Sequence, residues 1–353
     1  MRSYDVTVFD GPLQLSERPT PQPTGEEVLV KITAAGVCHS DIHICEGFYD
    51  LGGGKKLNMG DRGVKLPLTM GHEIAGEIVS GGPDAGPVKA GERVVVYPWI
   101  GCGKCAVCAR GDENLCLQSR FLGIFRGGGY ATHVLVPHKR YCLPIGDMDT
   151  TVAAPYACSG LTTFSALNKI GVKTLMREPI VVIGAGGLGL MCLTLMKAMD
   201  AHGAIVVDVN PASREAAMKA GARAAIDPKE KDAVAKIRAL TPGGAGAAAV
   251  IDLVGAGATV QLGLDVMARG GRVIVVGLMG GEVTVPTPTI PQRAMTLQGS
   301  YVGNLEELKE LMALVAKGNV PRVPAIERPL DEADASLNDL KAGKVIGRII
   351  LKP

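Results

Sequence analysis

Ile180-Val181-Val182-Ile183-Gly184-Ala185-Gly186-Gly187-Leu188-Gly189 is the stretch on which the fold turns. Four apolar residues make a short buried strand, and the glycines break it into a turn before a helical run starts at Leu188. In Gly184-x-Gly186-x-x-Gly189 the first glycine permits a sharp turn, the second lets backbone amides approach a pyrophosphate, and the third brings helix and strand together. The helix N-terminus offers its positive dipole end to the same anion. Taken alone, the motif reads equally as a glycine-rich turn without a nucleotide. Here the next apolar run, Ala204 to Val207, ends on Asp208, whose carboxylate suits the ribose hydroxyls of adenosine and repels a 2′-phosphate. The pattern favours NAD over NADP, with Arg214 read as a solvated helix charge.

Outward from this stretch the chain alternates. Apolar strands at 180–183, 204–207, 224–226, 249–253, 272–276 and 295–299 are interleaved with helical stretches at 188–199, 214–220, 231–240 and 259–268. Strand, helix, strand in repetition forces parallel pairing through right-handed crossovers, so an α/β doubly wound sheet of six strands is expected. Before about Ala154 the texture is different. Short β-type runs (Val6 to Phe9, Glu27 to Ile32, Ile74 to Val79, Arg93 to Tyr97, Ala131 to Val136) sit between Pro/Gly turns and suggest a small all-β unit. A last strand, Arg348 to Leu351, has no place in the six-stranded sheet and is expected to return to the first unit. The expected division is residues 1–157 with 303–353, and residues 158–302.

Composition agrees with a globular chain of two domains: 353 residues, 47% hydrophobic and 20% charged. Lys plus Arg, 37, against Asp plus Glu, 35, leaves a net charge of +2, too little to track phosphates or anionic lipid, so nucleic acid is not an expected partner. Pro179 to Met196 carries no charge over 18 residues, but its glycines divide it into a strand and a helix, so no membrane span is expected. The N-terminus lacks the long apolar run of a secretory signal, so a reducing, cytoplasmic compartment is expected. An odd number of cysteines, nine, in such a compartment argues for metal ligands and free thiols.

Cys102-x2-Cys105-x2-Cys108-x7-Cys116 puts four thiols within 15 residues, a spacing that suits tetrahedral Zn²⁺. Four thiolates leave no open position, so this metal is read as structural; Lys104 and Arg110 beside it read as surface cations. A second set is dispersed: Cys38-His39-Ser40-Asp41-Ile42-His43, Gly71-His72-Glu73 and Cys158-Ser159-Gly160. Three ligands and an open fourth position make a catalytic zinc, yet by spacing alone a bare Cys or His in an apolar neighbourhood is more often core than ligand. Asp41 is balanced between a helix-cap carboxylate and an acceptor that orients an imidazole.

In combination these motifs resemble the zinc-containing medium-chain alcohol dehydrogenase family, in the family's order and over essentially the whole chain. The resemblance implies a GroES-like β catalytic domain beside a Rossmann domain, two Zn²⁺ per chain, NAD as cofactor and a homo-oligomer, dimer or tetramer. It makes Cys38, His72 and Cys158 the catalytic zinc ligands, with Glu73 as a transient fourth ligand and Asp41 orienting His72. The implied reaction is reversible hydride transfer from a primary or secondary alcohol on zinc to NAD, giving aldehyde or ketone. Its proton leaves through the Ser40 hydroxyl, the nicotinamide ribose and His43. Thr162 and Leu188 pack on the nicotinamide, backbone at Val276 and Val302 holds its carboxamide, and Arg348 meets the pyrophosphate. His39 stands where some relatives have a pyrophosphate arginine; an unpartnered, partly exposed histidine is the equal alternative.

The segment Gly47 to Pro67, with Gly52-Gly53-Gly54, lengthens the path from Cys38 to His72, either to shape substrate access or as a passive surface excursion. Phe48, Trp99 and Phe121 are candidates for the substrate pocket or for ordinary core. Two other readings stand beside the leading one: a polyol, sugar or hydroxyacyl-thioester dehydrogenase on the same scaffold, and a zinc-stabilised nucleotide-sensing module without catalysis.

Overall fold

In the computed structural model, which describes residues 1–353, six parallel strands form one sheet in the spatial order Ala224–Ile226, Ala204–Val207, Ile180–Ile183, Ala247–Asp252, Met267–Val275 and Thr296–Gly299. Its central strands are buried on both faces, which is why they read as continuous apolar runs. The strand order reverses around Ile180–Ile183, and there the turns after Ile183, Val207, Asp252 and Val275 open a crevice at the carboxyl ends of the strands. The sequence expectation of a doubly wound sheet holds.

The second sheet is mostly antiparallel and has seven strands, Cys142–Pro144, Arg93–Val96, Glu73–Gly81, Val28–Val37, Arg348–Lys352 and Ala325–Pro329 in order, with His133–Val136 also pairing Val28–Val37. The C-terminal strand thus lies against Val28–Val37. Smaller sheets join Arg2–Val6 to Gln14–Glu17 and Leu68–Thr69, and Phe48–Gly52 to Lys55–Asn58.

One local expectation fails for a physical reason, and two further elements are ones the sequence left unread. The first strand is Arg2–Val6 and not Val6 to Phe9, because two of its inward positions are polar. Ser3 and Asp5 are buried, and Asp5 is satisfied by the Thr69 hydroxyl at 2.6 Å and Arg18 at 3.1 Å. The helix Ser159–Ile170 left no amphipathic stripe in the sequence, since Ser159 through Leu167 are all buried. Within the 47–67 segment Phe48–Gly52 and Lys55–Asn58 pair as a hairpin, with Lys56 Nζ 3.6 Å above the Phe48 ring. No helix is long and apolar enough to cross a membrane.

Candidate functional site

Cys38 ends the strand Val28–Val37 and caps the helix His39–Glu46; His72 precedes the strand Glu73–Gly81; Cys158 caps the helix Ser159–Ile170. These three element ends meet, and one ligand atom from each lies within 4.8 Å of the others. All three residues are buried. The Cys38 and Cys158 sulfurs are 3.9 Å apart. Two sulfurs about 2.3 Å from a tetrahedral Zn²⁺ stand roughly 3.8 Å apart, so the spacing fits. His72 Nδ1 lies 3.0 Å from Asp41 Oδ1, which leaves Nε2, buried and without a hydrogen-bond partner, for a metal. The two thiols share a hydrogen bond that holds Cys38 well below the ordinary thiol range and Cys158 well above it.

Asp41 has contacts that suit both of the readings open to it. Its Oδ2 accepts from the Cys38 backbone N–H at 3.0 Å, capping the helix, and from the Tyr130 hydroxyl at 2.9 Å, while Oδ1 faces His72.

The cysteine lobe is a separate centre. Sulfur pairs lie at 3.5 Å (Cys105–Cys108), 3.8 Å (Cys105–Cys116) and 4.0 Å (Cys102–Cys108), around the tetrahedral value and far from a disulfide bond length of about 2.05 Å. Backbone N–H groups point at the sulfurs: Cys108 to Cys105, and Cys102 and Gln118 to Cys116. Such donors hold Cys102 at about 6 and lower Cys105, while burial pushes Cys108 the other way. Arg110 turns from the thiols to Asp112 at 2.8 Å. Buried Glu113 ties the lobe to the core by accepting from Gly101 N–H, Tyr141 hydroxyl and Arg140.

Cys38 and Cys158 open on a cleft of about 350 Å³ that also contains Gly184, Gly186, Gly187, Leu188, Gly189 and Asp208. Gly184 has φ +97°, and a side chain at Gly189 would press 2.1 Å from the Gly184 carbonyl oxygen, so only glycine serves at either position. Gly186 faces open space, and the helix Gly187–Ala198 begins beside it. This cradle fits a pyrophosphate. At the adenosine end Asp208 is fixed by the N–H groups of Ala185 and Asn210, each at 2.7 Å. Arg214 is spent on Asp227 at 3.1 Å and on the Asp208 carbonyl at 2.7 Å.

Sequence comparisons converge on the same architecture. Residues 24–147 match the alcohol dehydrogenase GroES-like domain and residues 187–317 the zinc-binding dehydrogenase domain. The chain is 39% identical to the NAD-dependent alcohol dehydrogenase of Sulfurisphaera tokodaii and 38% identical to that of Saccharolobus solfataricus, covering 100% of both chains in each case. The crystal structure of the alcohol dehydrogenase from Aeropyrum pernix superposes with a TM-score of 0.89 at 30% identity, covering 100% of each chain. The chain belongs to the zinc-containing medium-chain alcohol dehydrogenase family. It is a zinc-binding dehydrogenase with the GroES-like and Rossmann domains of that family.

Within this dehydrogenase the remaining residues expected at the site fall as follows. His39, Ser40, His43, Thr162, Val276, Val302 and Arg348 all line the cleft. The His43 side chain is 14% exposed, with Nδ1 3.8 Å from Glu46 and its ring 5.1 Å from Tyr49. His39 is exposed, its ring 5.8 Å from His43 and without an ion pair. Glu73 stands outside the ligand group: one oxygen pairs with Arg348 and the other accepts from Ser159 N–H at 3.1 Å. Burial pushes its carboxyl up to about 7, against the pull of Arg348. Arg348 packs beside Gly187 at the helix N-terminus.

Of the pocket candidates, Trp99 lines the cleft, its ring tilted against that of His72 at 5.1 Å, whereas Phe121 supports Trp99 edge-on at 5.4 Å and Phe48 faces Lys56. Tyr49, Ile124 and Tyr301 line the cleft unannounced by the sequence reading. The run from Phe48 to Gly52 does not alternate in polarity or burial, so no periodic signal marked Tyr49.

Proposed function

We propose that this cleft carries out reversible, NAD-dependent oxidation of a primary or secondary alcohol to an aldehyde or ketone. What supports it is the convergence, in one cavity, of the Cys38, His72 and Cys158 cluster with the Gly184 to Gly189 turn and Asp208. Bound at those ligands, Zn²⁺ supplies a Lewis acid that draws an alcohol hydroxyl from a pKa of roughly 16 towards neutrality, and the dinucleotide takes up hydride.

The chain's own residues do the rest. Cys38, His72 and Cys158 hold the metal in a buried pocket, and Asp41 keeps the His72 ring in register through Nδ1. Ser40 and His43 line the route by which a hydroxyl proton leaves, the half-buried imidazole handing it outward. Asp208 receives the adenosine ribose hydroxyls, and with Arg214 already paired no cation is free to take a 2′-phosphate, so NAD is preferred. Glu73 anchors Arg348 and the Ser159 N–H; acting as a ligand would cost it both contacts. Arg348 steadies the pyrophosphate beside the Gly187 helix start.

The same reading divides the chain into residues 1–157 with 303–353 around the seven-stranded sheet and residues 158–302 around the six-stranded one. Thr296–Gly299 is an uncovered edge strand with Leu297 exposed, a surface suited to pairing with a second copy.

The test is metal analysis together with a cofactor assay. Two zinc ions per chain and alcohol-dependent NADH formation, with NADP poorly used, are expected. One zinc in active protein, or no alcohol-dependent reduction of NAD, overturns the reading.

A further inference from the structure

The Tyr301–Val302 peptide lies where the chain leaves the edge strand Thr296–Gly299 for the helix Leu305–Ala316. Val302 has φ +43°, a left-handed conformation that is costly for a β-branched residue and persists only where its surroundings impose it. Side chains of the GroES-like half impose it here. Asn114 Nδ2 donates to the Tyr301 carbonyl oxygen at 2.9 Å, and the Tyr97 hydroxyl donates to the Gly303 carbonyl at 3.1 Å. Asn304 Nδ2 stands 3.5 Å from Asp112 Oδ1. Asp112 and Asn114 both belong to the cysteine lobe, between Cys108 and Cys116.

Asn114 is buried and its Oδ1 has no partner, so its one side-chain hydrogen bond is the one to Tyr301. In a planar trans peptide the carbonyl and the N–H point in opposite directions. With the Tyr301 oxygen held by the lobe, the Val302 N–H is turned away from it. That N–H has no acceptor in the protein, although Val302 is only 8% exposed and lines the cleft. A buried amide without a partner, at the wall of a ligand cleft, is a donor reserved for the ligand.

We propose that Asn114 is a positioning residue for the dinucleotide. From the cysteine lobe it fixes the Tyr301–Val302 peptide so that the Val302 N–H donates to the carboxamide oxygen of the nicotinamide. The lobe, which takes no part in the chemistry, thereby sets the affinity for the nicotinamide half of the cofactor. This rests on reading the cleft as an NAD site.

The experiment is calorimetric titration of wild-type, Asn114→Ala and Asn114→Asp protein, each checked for two zinc ions, with NAD and with ADP-ribose, which lacks the nicotinamide. NAD affinity is expected to fall about 3- to 10-fold in both variants, the loss of one neutral hydrogen bond, with ADP-ribose affinity unchanged. Equal weakening of both ligands, or no weakening of NAD, overturns the proposal. A measurement on wild type alone guards against variants that misfold: an NAD analogue whose pyridinium ring lacks the carboxamide should bind weaker than NAD by a similar factor, and equal binding overturns the proposal too. Wild-type protein that binds neither NAD nor ADP-ribose overturns the reading of the cleft, and this proposal with it.

Discussion

The four-thiol lobe and the Cys38, His72 and Cys158 cluster are built for the same ion in opposite ways. The lobe gathers its ligands within 15 residues of one loop, is partly exposed, and satisfies its sulfurs with neighbouring backbone N–H groups. The other cluster draws on three element ends, with Cys38 and Cys158 separated by 120 residues, is buried, and has the Asp41 carboxylate, from the first turn of the helix that Cys38 caps, beside its imidazole. A local site closes its coordination and stabilises the chain around it. A dispersed site exists only once elements far apart along the chain have packed, and it opens on the cleft that also holds the glycine turn.

The sharpest way to break this comparison is to remove one ligand from each centre. His72→Ala should lower kcat/KM by about a thousandfold or more, since a Lewis acid worth several kcal/mol leaves with the metal, while the variant keeps one zinc, that of the lobe. Steady-state kinetics with metal analysis checks this; loss of both ions would mean that the centres are not independent. Cys105→Ser should do the reverse. It should lower the melting temperature by about 5–15 °C and cost less than about tenfold in kcat at 25 °C, because a structural metal contributes chiefly to folding. Calorimetry and turnover on the same preparation separate the two effects.

Asp41→Asn tests whether the dispersed site depends on its orienting carboxylate. A roughly 10- to 100-fold loss of zinc affinity at the catalytic site is expected, with the lobe's zinc unmoved, read by competition with a chelator. The smallest effect concerns pH. His43 faces His39, Glu46, Cys38 and the Tyr49 ring; burial and His39 lower its pKa, while Glu46 and Cys38 raise it. Neutral imidazole accepts the departing proton, so the rate of alcohol oxidation should rise with pH through a value below about 6.5. Glu46→Gln removes a raising charge, itself paired with Lys341 at 2.6 Å, and should move this limb a few tenths of a unit lower. Cys105→Ser should leave the limb in place, and a shift there would tie the lobe to the proton route.

How much was legible follows the same division. The six-stranded half was readable because its central strands are continuous apolar runs buried on both faces and the turns that line the cleft carry glycine or an acid. Other parts were read less well. Ser3 and Asp5 disguise a buried strand as a polar one, and Ser159–Ile170 hides in the core with no stripe to betray it. Aromatic residues of the cleft were found only where rarity drew attention, as for Trp99; Tyr49 and Tyr301 come from a hairpin and a domain junction that no periodicity marks.

The sequence by itself determined the kinds of atoms available and every feature whose cause is short-range: the thiol loop, the glycine turn, the acid at the end of the following strand, and the crossover order. Only the tertiary structure decided that Cys38, His72 and Cys158 stand within 4.8 Å of one another, that Arg348 crosses to Glu73, and that Asn114 reaches the Tyr301 carbonyl. The reason is physical. Short-range features are fixed by backbone geometry and local periodicity, whereas contacts between distant residues depend on how whole elements pack, and packing leaves no repeating mark along the chain.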